Sequence, residues 1–201
     1  MKTVPDKYFE LAIVDPPYGI LKKPGNVIKN KSDTDHLKNI SWDMKKINRA
    51  YFDDLIRVSI NQIIWGGNYF LDYLGYCKAP IIWDKLNGKS LYADGEMAWT
   101  SRGFSGNLKI FKHQWCGAFK DSERRIKSFH PTQKPIDLYK WILKNYAKPG
   151  DKILDTHVGS ASSLIACEDM GFEYVGCELD AEYYKMASER IENFKLQGKL
   201  F

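Results

Sequence analysis

No two cysteines of this 201-residue chain stand at a CxxC spacing. The four present, Cys77, Cys116, Cys167 and Cys177, argue against a zinc cluster or a disulfide framework and for reduced thiols in a cytosol. No apolar run approaches the roughly 20 residues that cross a bilayer. Residues 1–20 carry charges throughout, so no secretory signal is visible. Internal repeats and low-complexity tracts are missing, and so is a G-x-G-x-x-G fingerprint, which disfavours NAD. Nor is there a large excess of one charge: the formal net charge is +5.

That small excess is unevenly placed. Leu21 to Ala50 holds eight Lys and Arg against three Asp, and Arg102 to Lys127 holds seven against Asp121 and Glu123. Two basic segments on an otherwise slightly acidic chain suit a polyanion-binding surface, although lysine-rich solvated loops would look the same. A length of 201 residues suits one domain with a real core.

The apolar pattern alternates between strand and helix signals. Leu11–Val14, Gln62–Trp65, Pro80–Trp83, Glu96–Thr100, Lys152–Leu154 and Tyr174–Cys177 read as strands. Arg49–Ile60, Asn68–Leu74 and Ser160–Met170 read as helices, as do stripes at Ile136, Tyr139, Leu143, Tyr146 and at Tyr184, Ala187, Ile191, Phe194, the latter after Asp180 as N-cap. Residues 21–48 read as a long loop and 102–129 as irregular. Alternation of this kind predicts an α/β fold, a mostly parallel sheet with helices on both faces. Ligands bind such sheets beyond the carboxyl ends of the strands, where Asp15, Asp155 and Glu178 all fall.

Two stretches carry chemistry. In "DTHVGSASS", Asp155 to Ser163, a strand meets an acidic residue, a glycine and a helix start. Gly159 permits a tight turn and close ligand approach, and Ser160 onward offers free N–H groups to a carboxylate or phosphate. Glu178, at the end of the next strand, suits a ribose diol. One acidic residue among small ones fits S-adenosylmethionine, which has a ribose and an amino-acid tail but no phosphates; an ordinary strand-to-helix turn remains the plain alternative. In "DPPY", Asp15 to Tyr18, two prolines without N–H groups hold a rigid extended edge. The Asp15 carboxylate and Pro16 carbonyl can accept both hydrogens of an exocyclic amine while Tyr18 stacks on its ring, a contact worth about 1–3 kcal/mol. Acceptors on both hydrogens favour a pyramidal, nucleophilic nitrogen.

With these motifs, and with "IIWGGNYF" (63–70), "WDKLNGKSLYADGEMAWTS" (83–101), "HPTQKP" (130–135) and "VGCELDAEYYKMASERI" (175–191), nearly the whole chain resembles the permuted, β-class DNA amino-methyltransferases and their small phage-type adenine-N6 members. In these enzymes the catalytic motif precedes the cofactor motif. The resemblance implies a circularly permuted Rossmann-like methyltransferase fold spanning residues 1–201 as a single domain. It also implies methyl transfer from S-adenosylmethionine to the N6 of an adenine flipped out of double-stranded DNA, in the cytoplasm of a bacterium or phage-infected cell. The implied catalytic residues are Asp15, Pro16, Pro17 and Tyr18. The cofactor would meet Asp155, His157, Gly159, Ser160, Glu178, Thr132 and Lys134, with no metal needed. The segments 21–50 and 102–127 would contact DNA, with Trp42 and Trp115 as contacts or as packing residues. Lys134 has a second reading as a surface cation at a helix start. Cytosine-N4 methylation is the nearest alternative, followed by a weakly active DNA- or partner-binding homologue, and by methylation of RNA or a protein glutamine.

Three departures from the family pattern stand out. Thr156, His157 and Ala161 replace a proline, a phenylalanine and a second glycine of the cofactor loop. The β-carbon of Ala161 is expected to crowd the cofactor or force a different turn, and His157 to pack rather than catalyse. Relatives also carry a Gly-Asp strand before the catalytic motif. Too few residues precede Leu11 for that strand here, so the tail Lys199–Phe201 or a second chain is expected to supply that wall. A homodimer or a partner methyltransferase subunit would also add contact area.

Overall fold

The computed structural model of the chain describes residues 1–20, 46–88, 93–104, 106–116, 119–123, 130 and 132–198. Trp42, the tail 199–201 and most of the first basic segment lie outside them. Strand β1 is Phe9–Val14, followed by helix α1 (Arg49–Val58) and β2 (Ser59–Trp65). A 3-10 turn (Gly67–Tyr69) and α2 (Leu71–Leu74) lead to β3 (Ile81–Asp84), β4 (Gly95–Thr100), β5 (Lys109–Lys112), β6 (Trp115–Cys116) and β7 (Phe119–Lys120). The last third is α3 (Ile136–Tyr146), β8 (Lys152–Asp155), α4 (Ser162–Met170), β9 (Glu173–Gly176) and α5 (Ala181–Gly198).

Seven strands form one sheet in the order β5-β3-β4-β2-β1-β8-β9, and only β4 runs antiparallel to its neighbours. The arrangement is the Rossmann-like one, with the first strand in the chain placed centrally beside the eighth. Alternate residues of β1 face opposite layers, as pleating requires. Leu11 and Ile13 pack with Leu138, Ile142 and Ala166 of α3 and α4. Ala12 and Val14 pack with Phe52, Leu55 and Phe70 under α1. Helices therefore cover both faces, and α5 lies over Val158 and Leu164 through Ala187.

Four local features differ from the sequence expectation. The helix α1 ends at Val58 and β2 begins at Ser59 without a loop, because Ser59 turns directly to extended backbone and its N–H caps Leu55. The 102–129 stretch is not irregular throughout: β5 adds an edge to the main sheet and β6–β7 form a separate two-stranded hairpin. On α5, Ala187 is buried but Tyr184 is 61% exposed, so the core stripe does not include it. Finally, Ala161 stands at a turn that favours glycine. It adopts the left-handed backbone itself, with φ 63° and ψ 19°, at the start of α4. Left-handed alanine costs about 1–2 kcal/mol, and its methyl packs with Val158, Leu164 and Ala187 instead of entering the crevice.

Candidate active site

Chain direction assembles the site. From β1 the chain returns to β2 on one side, while β8 lies on the other, so the strand order switches between β1 and β8. A crevice opens at such a point beyond the carboxyl ends of the strands. The register pairs Ala12 with Leu154, which brings Asp15 level with the loop after Asp155. Because β4 is antiparallel, its first residues reach the same end of the sheet: Glu96 lies opposite Trp83, one residue before the end of β3.

Both oxygens of Asp15 are engaged. Oδ1 accepts the Tyr18 hydroxyl at 2.5 Å and Oδ2 accepts the Lys134 ammonium at 2.5 Å. Lys134 Nζ is also 3.0 Å from Glu96 Oε2, and Glu96 Oε1 is 2.5 Å from Lys85 Nζ. Lys134 is only 4% exposed, so it is not a surface cation. Burial disfavours its charge, yet Asp15 and Glu96 hold its pKa above the ordinary lysine value. Burial would likewise raise Glu96, but Lys134 and Lys85 outweigh it and hold that carboxyl at about 2.

The ring of Tyr18 stacks on Tyr69, 5.0 Å between centroids, and lies edge-on to Phe70. Its seat is made by Gly66, whose φ is +64° and where any β-carbon would stand inside the Tyr18 ring. Gly67 similarly yields its space to Trp99. Gly66→Ala is therefore expected to destabilise the protein by at least the ~1–2 kcal/mol of a left-handed alanine. It should also displace Tyr18, lowering base-dependent turnover while sparing cofactor affinity. Thermal unfolding together with turnover assays checks both effects.

On the other side, Asp155 fastens the loop to its strand. Oδ1 accepts the His157 N–H at 2.9 Å and Oδ2 accepts the Ser163 hydroxyl. Burial pushes the Asp155 carboxyl up to about 6, against the pull of these two donors. Gly159 donates its N–H to Glu178 Oε2 at 2.8 Å, with φ +50°. His130 stands against Gly159 and the ring of Tyr183, and its Nδ1 is 3.1 Å from the Thr132 hydroxyl. His157 packs edge-on to Tyr51, whose hydroxyl meets Thr156 Oγ1 at 2.5 Å. Burial lowers the pKa of His157 to about 4, so it is neutral at pH 7. The carbonyl of Ser160 accepts from Arg190 of α5 at 2.6 Å, and Arg190 also pairs with Glu123 at 2.5 Å.

The sequence-selected residues thus fall into two neighbouring groups. Asp15, Pro16, Pro17, Tyr18 and Lys134 lie on the β1 side; Asp155, His157, Gly159, Ser160, Glu178 and Thr132 lie around the β8 loop. Glu96, Lys85, His130, Tyr51 and Arg190 were not singled out from sequence. His130 stands at the head of HPTQKP, Lys85 and Glu96 lie within the segment 83–101 and Arg190 within 175–191, but those segments marked the family without marking these residues, and Tyr51 lies in none of them. Among the described residues, carboxylates (Asp15, Glu96, Asp155, Glu178) outnumber ammonium groups (Lys85, Lys134) here, so the site suits a cationic ligand.

Comparison with known proteins bears on the family and the fold. The family of DNA methylases matches residues 9–189. The type II methyltransferase M.HinfI of Haemophilus influenzae is 23% identical, over 97% of this chain and 66% of its own length. M2.DpnII of Streptococcus pneumoniae is 29% identical, over 66% of this chain and 51% of its own. The chain therefore spans about half to two thirds of the curated relatives it matches. Among solved structures, the M1.HpyAVI–SAM complex superposes with a TM-score of 0.57 at 22% identity, covering 92% of this chain and 89% of that one. The cytosine-N4-specific PvuII DNA methyltransferase gives 0.54 at 12% identity, covering 96% and 86%. With its two carboxylate-bearing strand ends on a permuted sheet and the family match over most of its length, the chain belongs to the DNA methylase family.

Proposed function

We propose that the protein transfers a methyl group from S-adenosylmethionine to the N6 amine of an adenine flipped out of double-stranded DNA. The observation that carries this reading is the crevice itself: the amine acceptor Asp15 and the loop held by Asp155 and Glu178 stand at adjacent strand ends.

S-adenosylmethionine supplies an electrophilic methyl on a sulfonium. The residues fit such a cation, since among the described residues four carboxylates face two ammonium groups and no cluster of basic groups suited to phosphates stands at the loop. Asp155, His157, Gly159 and Ser160 border its amino-acid part, Glu178 takes the ribose hydroxyls, and Thr132 acts through His130. Asp15 and the Pro16 carbonyl accept the two amine hydrogens. Each carboxylate oxygen has a second lone-pair site, so the Tyr18 and Lys134 bonds do not exhaust Asp15. Tyr18, backed by Tyr69, is the stacking platform for the base. His157 is neutral at pH 7, and burial likewise lowers the pKa of His130.

The hairpin β6–β7 supports DNA as the substrate. Trp115 Nε1 donates to the carbonyl of Gln133, beside Lys134, at 2.8 Å, so the hairpin is anchored next to the site. It presents Lys120 and a 71% exposed Phe119, a basic and aromatic pairing suited to nucleic acid. The β9 edge, where Val175 and Leu179 are exposed beside Glu178, is where a second copy or a partner methyltransferase subunit would join. No helix among the described residues is long and apolar enough to cross a membrane, and a cytoplasmic setting belongs to the same proposal.

The test is nucleoside analysis of duplex DNA after incubation with methyl-labelled S-adenosylmethionine. Label in N6-methyladenine is expected. Label in N4-methylcytosine would transfer the proposal to cytosine, and no label from a protein that binds the cofactor would overturn it.

A further inference from the structure

Lys134 is shared between two carboxylates. It lies 2.5 Å from Asp15 and 3.0 Å from Glu96, with its ammonium 5.4 Å from the centre of the Trp65 ring. Lys85 completes an alternating row of charges, Asp15–Lys134–Glu96–Lys85, at the end of β3. An ammonium has three donors and no acceptor. Given wholly to Asp15 in a site this enclosed, it would turn the carboxylate towards itself and away from the substrate amine, although a lone-pair site stays free. Glu96 draws the ammonium partly away, and Lys85 fixes Glu96 from its far side while lying 4.9 Å from the Trp83 ring.

We infer that Lys134, Glu96 and Lys85 form a positioning relay for Asp15, in which Lys134 orients the carboxylate and Glu96 keeps it available to the amine. The inference rests on the amine-methylation reading above and assigns Lys134 to the chemistry of the amine, not to the cofactor. Two properties follow. Lys134 variants should lose turnover without losing cofactor, and Glu96 should act only through Lys134.

The experiment compares wild type, Lys134→Met, Glu96→Gln and the double variant by kcat on duplex DNA and by calorimetric Kd for S-adenosylmethionine, with Asp15→Ala as the inactive reference. Misplacing a reacting group costs roughly 100-fold, and a kcat loss of that order is expected for Lys134→Met. Glu96→Gln should lose less in the same direction, and the double variant no more than Lys134→Met alone. Cofactor Kd should stay unchanged throughout. A weakened cofactor Kd with kcat intact would overturn the inference and make Lys134 a cofactor ligand. Independent, multiplying losses would also overturn it, since a residue that acts only through another adds nothing once that other is removed. Should Lys134→Met fail to fold, Glu96→Gln carries the test, because it preserves shape and hydrogen bonding; unchanged kcat there overturns the inference. With wild type active and Asp15→Ala inactive, these failures concern the relay alone. A wild type that binds cofactor but methylates no DNA takes the underlying reading down as well.

Discussion

Asp15→Ala is expected to reduce methyl transfer by roughly 10²–10³-fold, the cost of removing one preorganised group aimed at charge developing in a transition state. The affinity for S-adenosylmethionine should hardly change. The asymmetry follows from the two sides of the crevice. Asp15 is bonded to Tyr18 and Lys134, whereas the cofactor loop is held by separate bonds from His157, Ser163 and Gly159 to Asp155 and Glu178. Single-turnover rates and binding isotherms for the same preparations check the split. A comparable loss in affinity would mean that Asp15 also shapes the cofactor loop.

Asp155→Asn is expected to do the opposite: to gain stability and lose cofactor. Burial holds the folded carboxyl at about 6, above the 3.8 of an ordinary aspartate. The folded protein therefore binds this proton more tightly than the unfolded chain. By linkage, its ionisation costs stability that is fully felt above pH 6 and disappears as pH falls towards 3.8. Asparagine removes the buried charge, can still accept from the His157 N–H, and can donate to Ser163. At pH 8 the variant should be more stable on the order of 1–3 kcal/mol, since one pKa unit is worth about 1.4 kcal/mol. The gain should shrink towards zero near pH 4. Meanwhile the loss of a charged acceptor opposite a cationic ligand, about 1.5–3 kcal/mol, should weaken cofactor binding roughly 10- to 100-fold. In the wild type, affinity should fall as pH drops below 6. Thermal unfolding across pH 4–8 checks the first half, and a variant less stable than wild type at pH 8 would show the carboxylate to be a net anchor.

How much of this was legible in the sequence depended on range. The strands β1 and β8 and the residues at their ends could be read because apolar runs, prolines and a glycine are local signals. Ala161 was legible as a departure but not in its consequence, since its methyl is accommodated by Val158 of its own turn, Leu164 of α4 and Ala187 of the distant helix α5. The strand β5 escaped because its residues Lys109, Ile110 and Lys112 are exposed and lack the half-buried alternation that marks a strand. The hairpin β6–β7 is two residues per strand, too short to leave a period. Lys134 was ambiguous for a different reason: its partners lie 119 and 38 positions away, at Asp15 and Glu96, and only the antiparallel direction of β4 carries Glu96 to that end of the sheet. A buried cation declares itself only once its counter-charges are in place.

The proposed division of labour between the two strand-end carboxylates is that Asp15 serves the amine and Asp155 the cofactor. It is tested most directly by titrating wild type, Asp15→Ala and Asp155→Asn with S-adenosylmethionine in a calorimeter at pH 8. The expected result is wild-type affinity for Asp15→Ala and a loss of at least tenfold for Asp155→Asn, in line with a charge-assisted bond. Equal affinities in all three folded proteins, or equal losses in both variants, would contradict it.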